Sequence, residues 1–328
     1  MSGSGFRRAA WLPGPHLGTV YASVARPFPR PPFRRERWDL DDGDFLDVDR
    51  LDGPRGAPLL VVSHGLEGNS RASYVRGLAA AAARRGFAVA AWNFRGCSGE
   101  PNRLLRQYHS GETGDLAAVV GRIVAEDPSR PILLAGFSLG GNQLVKWLGE
   151  RGDDLPAQVR AAVAISVPFD LEACAAALDG PGFWPFVYRE RFLRRLRQKA
   201  LRKAAEHPGR IDAVAVRRSR TFAEYDGLVT ARLHGFESAQ DYWSRCSAAR
   251  FVAGVRRDLL LLSADDDPLV PARSIPVAAA RDNPSVTLEV TPGGGHVAFV
   301  AGTPFVPAFW AEERAVAFLQ ERLARPPG

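Results

Sequence analysis

The sequence predicts an α/β fold, a mostly parallel eight-stranded sheet with helices on both faces and one helical insertion. Three observations lead there. From residue 58 onward, short apolar runs alternate with helix-length segments, the pattern of consecutive βαβ units. The run Pro131-Ile-Leu-Leu-Ala135 passes directly into Gly136-Phe-Ser138-Leu-Gly140 and then into a helix-forming stretch, 142–150. Residues 168–254 interrupt the alternation: they are helical in propensity, rich in arginine and aromatics, and contain no convincing apolar strand. The 328 residues therefore divide into a first part of the core (1–167), a helical cap (168–254) and a second part of the core (255–328).

Taken in order, residues 17–24 (LGTVYASV) and 37–49 (RWDLDDGDFLDVD) read as two opening strands, the second bending at Asp41-Asp42-Gly43 as an antiparallel hairpin. Between them the run 27–33 (PFPRPPF) is extended and stiffened by proline. The other strands are 58–63, 87–92, 131–135, 161–167, 258–264 and 286–290, which with the opening pair makes eight. Helices are predicted near 71–85, 113–126, 141–150, 272–281 and 306–323. No internal repeat is present, and no low-complexity tail beyond the final Pro-Pro-Gly.

Composition narrows the class. Hydrophobic residues are 46% and charged residues 24%, the ordinary mix of a globular protein. The apolar stretch after Arg7-Arg8 runs only from Ala9 to Leu12 before Pro13, too short for a signal sequence, and nowhere do 18 apolar residues run together. A cytoplasmic chain without a membrane span is the expectation. Cys97, Cys174 and Cys246 are odd in number and scattered, so they read as buried thiols and not as a disulfide framework or a zinc site. The net charge of +7 is uneven: residues 189–203 hold eight Lys/Arg and one Glu, residues 1–37 seven Arg and one Glu, which leaves 28 basic and 34 acidic residues elsewhere. The body of the fold is thus slightly acidic, which argues against a nucleic-acid partner.

The stretch around Ser138 is a nucleophile elbow in prospect. A sharp turn between strand and helix presents the serine hydroxyl, small residues at Gly136 and Gly140 relieve the crowding, and the Leu139 backbone N–H points at an oxygen of whatever the serine attacks. A serine hydroxyl needs a histidine to take its proton and a carboxylate to hold that histidine. Six histidines compete: His16, His64, His109, His207, His234 and His296. His296 alone follows the last strand in a glycine-rich loop, Thr291-Pro-Gly-Gly-Gly-His296, in the chain order serine, acid, histidine. The acid belongs just after the strand 258–264, where Asp265-Asp266-Asp267 stand together. Asp267 is the choice, because Asp-x-x-Val-Pro is the usual run into the following helix, with Asp266 as runner-up and Asp170 as a more distant alternative. One of these aspartates is expected to cap the helix at Pro271. A second oxyanion donor is expected at Leu66, in His64-Gly65-Leu66-Glu67-Gly68, with His64 structural. Arg95 is expected to tie loops together through its guanidinium. Spacing assigns no role to Tyr108-His109-Ser110-Gly-Glu112 beyond lining the pocket.

The segments HGLEGNSRASYVRGL (64–78), NFRGCSGEPNRLLRQYHSGETGDL (93–116), GFSLGGNQLVKWLGE (136–150), ADDDP (264–268) and GGGHVAF (293–299) resemble the YheT-like hydrolases of the α/β-hydrolase superfamily. The likeness extends to DGDFLDVD (42–49) and YDGLVTARLHGFESAQDYW (225–243), and so to nearly the whole chain. It implies a Ser-Asp-His charge relay at Ser138, Asp267 and His296, and hydrolysis of short-acyl carboxylic esters without metal or cofactor.

Within residues 189–203, Phe192, Leu193, Leu196 and Ala200 recur at helical spacing among arginines. The expectation is a helix with its apolar stripe on the pocket and a solvated charged face; the alternative is weak contact with an anionic membrane surface. Phe183, Trp184, Phe186 and Trp243 are candidates for an acyl pocket or for the core of the insertion. The function expected is a serine carboxylesterase with a small-molecule ester substrate. A membrane-surface lipid esterase or acyltransferase, and a ligand-binding protein without turnover, are the alternatives.

Overall fold

The computed structural model describes residues 5–27 and 29–325, so Phe28 of the proline-rich run and the terminal Pro-Pro-Gly lie outside the described residues. Strands β1 (Arg34–Asp39), β2 (Phe45–Leu51), β3 (Leu59–Ser63), β4 (Ala88–Trp92), β5 (Ile132–Phe137), β6 (Val159–Ile165), β7 (Asp258–Ala264) and β8 (Val286–Thr291) form one sheet in the order β1-β2-β4-β3-β5-β6-β7-β8. The β1–β2 and β2–β4 pairs are antiparallel and all the others parallel. Successive side chains of a strand point to opposite faces. Leu59 and Val61 accordingly join one core cluster with Leu116 and Leu144, and Leu60 and Val62 join another with Leu78 and Leu319. Both faces are covered, which is why these strands read as unbroken apolar runs.

Helices α1 (Gly14–Val20), α2 (Ser73–Arg84), α3 (Gly114–Glu126) and α4 (Leu139–Arg151) precede β6. Between β6 and β7 come α5 (Leu171–Asp179), α6 (Phe183–Glu206), α7 (Ala213–Arg218), α8 (Phe222–Tyr225), α9 (Ala231–His234) and α10 (Ala239–Cys246). These pack around a separate cluster that includes Leu193, Val216, Tyr225 and Trp243. Helices α11 (Val277–Asp282) and α12 (Trp310–Leu323) follow. No helix among the described residues is long and apolar enough to cross a membrane. All three cysteines are buried and free.

Three expectations are corrected. Residues 17–24 are not a strand: they belong to α1 and to a π-helical turn over Tyr21–Ala25. Thr19, Val20 and Val24 favour extended backbone, but Pro15 in the first turn presets helical φ. Contacts elsewhere in the fold complete the override, with Ser73 Oγ donating to the Ala22 carbonyl at 2.8 Å. The two opening strands are instead the two arms of the 37–49 hairpin, β1 and β2. The helix expected at 272–281 is split into a 3₁₀ turn (Ala272–Ser274) and α11, because Pro276 has no N–H and disfavours helical backbone at Ile275. The last helix begins at Trp310, since 307–309 pair with 300–302 as a small antiparallel ribbon.

Arg95 ties the hairpin to the body, as expected. Its guanidinium is buried and meets Asp115 bidentately (2.7 and 2.9 Å), Asp44 at 3.1 Å and Asp42 at 2.8 Å. Burial works against the Asp44 carboxylate, yet the Asn102 amide, the N–H groups of Arg103 and Phe45, and Arg95 hold its pKa below the ordinary value. Removing the cation leaves two buried carboxylates, Asp44 and Asp115, without their shared partner. Arg95→Met is expected to destabilise the fold by about 3–5 kcal/mol, read as a lower urea midpoint; a loss under 1 kcal/mol would contradict this account.

Candidate active site

The turn at Ser138 joins β5 to α4. Its backbone sits at φ 50°, ψ −121°, a strained conformation for a residue with a side chain. Two backbone bonds fix it: Ser138 N–H donates to the Ile165 carbonyl of β6 (2.8 Å), and Asn142 N–H donates to the Ser138 carbonyl (3.0 Å). Glycine is required at 136 and 140 because of close approach. A Cβ on Gly140 would land on the carbonyl oxygen of His64, and one on Gly136 on the carbonyl of Gly140.

His296 reaches the serine through a loop that only glycines can form. Gly293, Gly294 and Gly295 all have positive φ (83°, 139° and 64°). The ring stands with Nε2 3.0 Å from Ser138 Oγ and Nδ1 2.8 Å from Asp267 Oδ2. The neighbouring backbone is pinned from two distant segments: His296 N–H donates to Thr19 Oγ1 (2.9 Å), and Val297 N–H donates to Ser166 Oγ (3.0 Å). Neither Thr19 nor Ser166 carries a local sequence signal, since each acts only through the tertiary fold.

The three adjacent aspartates separate cleanly. Asp267 faces the imidazole and also accepts from the N–H groups of Leu269 (2.9 Å) and Val270 (3.1 Å). Asp265 accepts from Gly293 N–H (2.7 Å); Asp266 accepts from Gly295 N–H (2.9 Å) and pairs with Arg8 (2.8 Å). Two of the three therefore shape the glycine loop. None caps the helix at Pro271, whose N-cap has no side-chain bond, which corrects that expectation. Asp170 is instead the N-cap of α5, accepting from Ala173 N–H at 3.0 Å.

Leu139 is the first residue of α4, where backbone N–H groups have no partner within the helix. In the loop after β3, Gly65 N–H donates to the Tyr74 hydroxyl (2.9 Å) and Glu67 N–H to the Tyr108 hydroxyl (3.0 Å). Leu66 N–H, between them, has no acceptor among the described residues. The loop is strained, with Glu67 at φ 53°, and is braced by its own side chain. Glu67 accepts from Tyr108 Oη (2.6 Å) and Lys199 Nζ (2.8 Å), while Arg195 donates to the Glu67 carbonyl (3.0 Å). The basic helix α6 is therefore not simply a solvated charged face: Lys199 and Arg195 hold this loop, a role that helical spacing alone does not reveal.

His64 is structural, as expected. Phe94 N–H donates to its Nε2 (3.1 Å), so the proton is on Nδ1, which donates to the Gly65 carbonyl (2.8 Å). Burial pushes its pKa down to about 3, against about 6.5 in an unfolded chain. Acid therefore favours the unfolded chain, which takes up a proton that the fold refuses. The contribution is complete above pH 6.5 and is lost as pH falls toward 3. At pH 5.0 the loss is about 2 kcal/mol relative to pH 7.5. His64→Gln is expected to remove that part of the pH dependence of urea unfolding; an unchanged dependence would show that His64 is not held neutral.

Two cavities meet at Ser138. One, of about 110 Å³, is walled mainly by apolar side chains of the insertion, among them Leu171, Leu196, Phe222 and Trp243. Tyr108, His109 and Ser110 line it as well, as expected of that segment. The other, of about 390 Å³, runs between α1, the 65–74 loop and α6. The aromatics of the insertion divide: Trp243 faces the first cavity, Trp184 stacks on His16 at 4.7 Å between ring centres, and Phe183 and Phe186 are 70% and 53% exposed. No group of three or more His, Cys, Asp or Glu among the described residues has the geometry to hold a metal ion.

A family model described as the alpha/beta hydrolase fold matches residues 58–303. The chain is 41% identical to YheT of Escherichia coli (strain K12) over 284 residues, covering 85% of this chain and 82% of that one. It is 31% identical to the phospholipase ABHD3 of Mus musculus over 294 residues, 85% of this chain and 70% of that one. An esterase of Pyrococcus furiosus shares the fold at a TM-score of 0.57 with 17% identity, covering 89% of this chain and 93% of that one. The sheet order, the elbow and these likenesses together place the chain in the α/β-hydrolase family, in the branch of YheT.

Proposed function

We propose that the chain is a serine hydrolase of carboxylic esters that works through an acyl-enzyme. The observation that carries this is the continuous line of hydrogen bonds from Asp267 through His296 to Ser138, with spacings of 2.8 and 3.0 Å. Asp267, accepting from Nδ1–H, sets the tautomer in which Nε2 is the free base. That base takes the Ser138 proton as Oγ attacks the ester carbonyl, and the N–H groups of Leu66 and Leu139 receive the oxyanion. His296 then gives the proton to the departing alcohol. Water enters by the same route and releases the acid. The names of relatives support the reading, since they include proteins called esterase and phospholipase. The bounds of the reading are a core of 1–167 and 255–328 with 168–254 as a cap over the serine.

The test is intact-mass labelling with a fluorophosphonate. One adduct on the wild-type protein and none on Ser138→Ala is the expected result. A labelled alanine variant would mean that the reactive nucleophile is not Ser138, and an unlabelled folded wild type would put the binding-protein reading ahead. The exposed Phe183 and Phe186 at the start of the basic helix favour a second reading, action at an anionic lipid surface. Flotation with anionic liposomes at low salt tests it, and failure to co-float removes it.

A further inference from the structure

The two cavities that meet at Ser138 differ in charge as well as in size. The larger has three arginines in its wall, Arg71, Arg191 and Arg195, against a single carboxylate, Glu67. That carboxylate is already engaged by Tyr108 and Lys199. Arg191 and Arg195 are four residues apart on α6, so the two like charges stand on the same side of the helix. The acids of that helix face elsewhere: Glu190 pairs with Arg197 (2.8 Å), and Glu206 pairs with Arg202 (3.0 Å) and Lys203 (2.9 Å). Arg191 has neither hydrogen bond nor ion pair among the described residues, and its electrostatic neighbours are Arg195, Tyr74 and Tyr188. Two adjacent guanidinium groups in the wall of a cleft, without an anion of their own, match a substrate that brings one.

We propose that the larger cavity is the alcohol-side subsite, and that it selects esters whose alcohol part carries a phosphate or carboxylate, bound by Arg191 and Arg195. The inference rests on the serine ester hydrolase reading. The apolar cavity takes the acyl chain, because its wall offers hydrocarbon to hydrocarbon. The carbonyl carbon is then at Ser138 where the cavities join, and the alcohol oxygen that His296 protonates lies toward the arginines. Guanidinium suits this task, since its planar donors match the oxygens of either anion bidentately.

The experiment compares kcat/KM for three soluble hexanoyl esters: monohexanoylglycerol, monohexanoylglycerol phosphate and O-hexanoyl lactate. At least one of the two anionic esters is expected to exceed the neutral one by about tenfold or more, with the preference residing in KM. Which of them does so identifies the anion as phosphate or carboxylate. In Arg191→Gln/Arg195→Gln the ratio of anionic to neutral ester should fall to near one, a readout from which any general loss of folding or catalysis cancels. Arg194→Gln, on the same helix but outside the cavity wall, should keep the wild-type ratio. The subsite is overturned if the wild type turns over anionic esters no faster than the neutral one, or if the double variant retains the ratio. A wild type that hydrolyses none of the three and takes no fluorophosphonate fails earlier, at the ester hydrolase reading itself; neutral-ester turnover without anion preference sinks the subsite alone.

Discussion

Ser138→Ala is expected to lower kcat for a short-chain ester by roughly 10⁶-fold. The size of the loss follows from the division of labour at the elbow. Without Oγ there is no acyl-enzyme, and His296 has no proton to take. What remains is the oxyanion site and substrate binding, which in comparable triads sustain about 10³–10⁴-fold over water. The fold has little stake in this hydroxyl. Its one hydrogen bond among the described residues is to His296, so urea unfolding should move by about 1 kcal/mol or less. Turnover above about a hundredth of wild type in the folded variant would mean that another nucleophile does the work.

Asp267→Asn is expected to cost about 10⁴-fold in kcat at neutral pH. The new amide can keep its carbonyl oxygen on the N–H groups of Leu269 and Val270, where Asp267 Oδ1 now accepts. Its NH₂ then faces His296 Nδ1. Two donors cannot share one contact, so the ring gives up its Nδ1 proton and carries it on Nε2, pointing at Ser138. A protonated Nε2 cannot act as the base. The shape of the site survives while its proton balance is inverted, and this is why the loss should fall in kcat with KM little changed. Asp266→Asn makes the control. Asp266 pairs with the exposed Arg8 and accepts from Gly295 N–H, a bond the amide oxygen preserves, so activity should stay within several-fold of wild type. Equal losses in the two variants would show that the aspartates hold the loop together and that neither singles out the histidine.

Much of this molecule was already determined by the sequence itself. The alternation from residue 58 specified a parallel sheet, since strands buried on both faces have to be apolar throughout. The run from Ala135 to Gly140 specified a turn that only small neighbours permit. Chain order singled out His296, and the Asp-x-x-Val-Pro run singled out Asp267, and the ends of their strands bring both to Ser138. Tertiary structure decided the rest. Residues 17–24 have the side chains of a strand and became a helix, because Pro15 and the contacts of Thr19 and Ala22 outweigh a weak local preference. The sequence pattern favours Asp267 among three consecutive aspartates but assigns no partner to the other two; the path of the glycine loop gives Asp265 and Asp266 to backbone N–H groups and Asp267 to the imidazole. Thr19, Ser166 and Lys199 brace the site from 277, 131 and 132 residues away along the chain from the groups they touch. Contacts at such separations are set by how the elements pack, and a local sequence pattern holds no record of them.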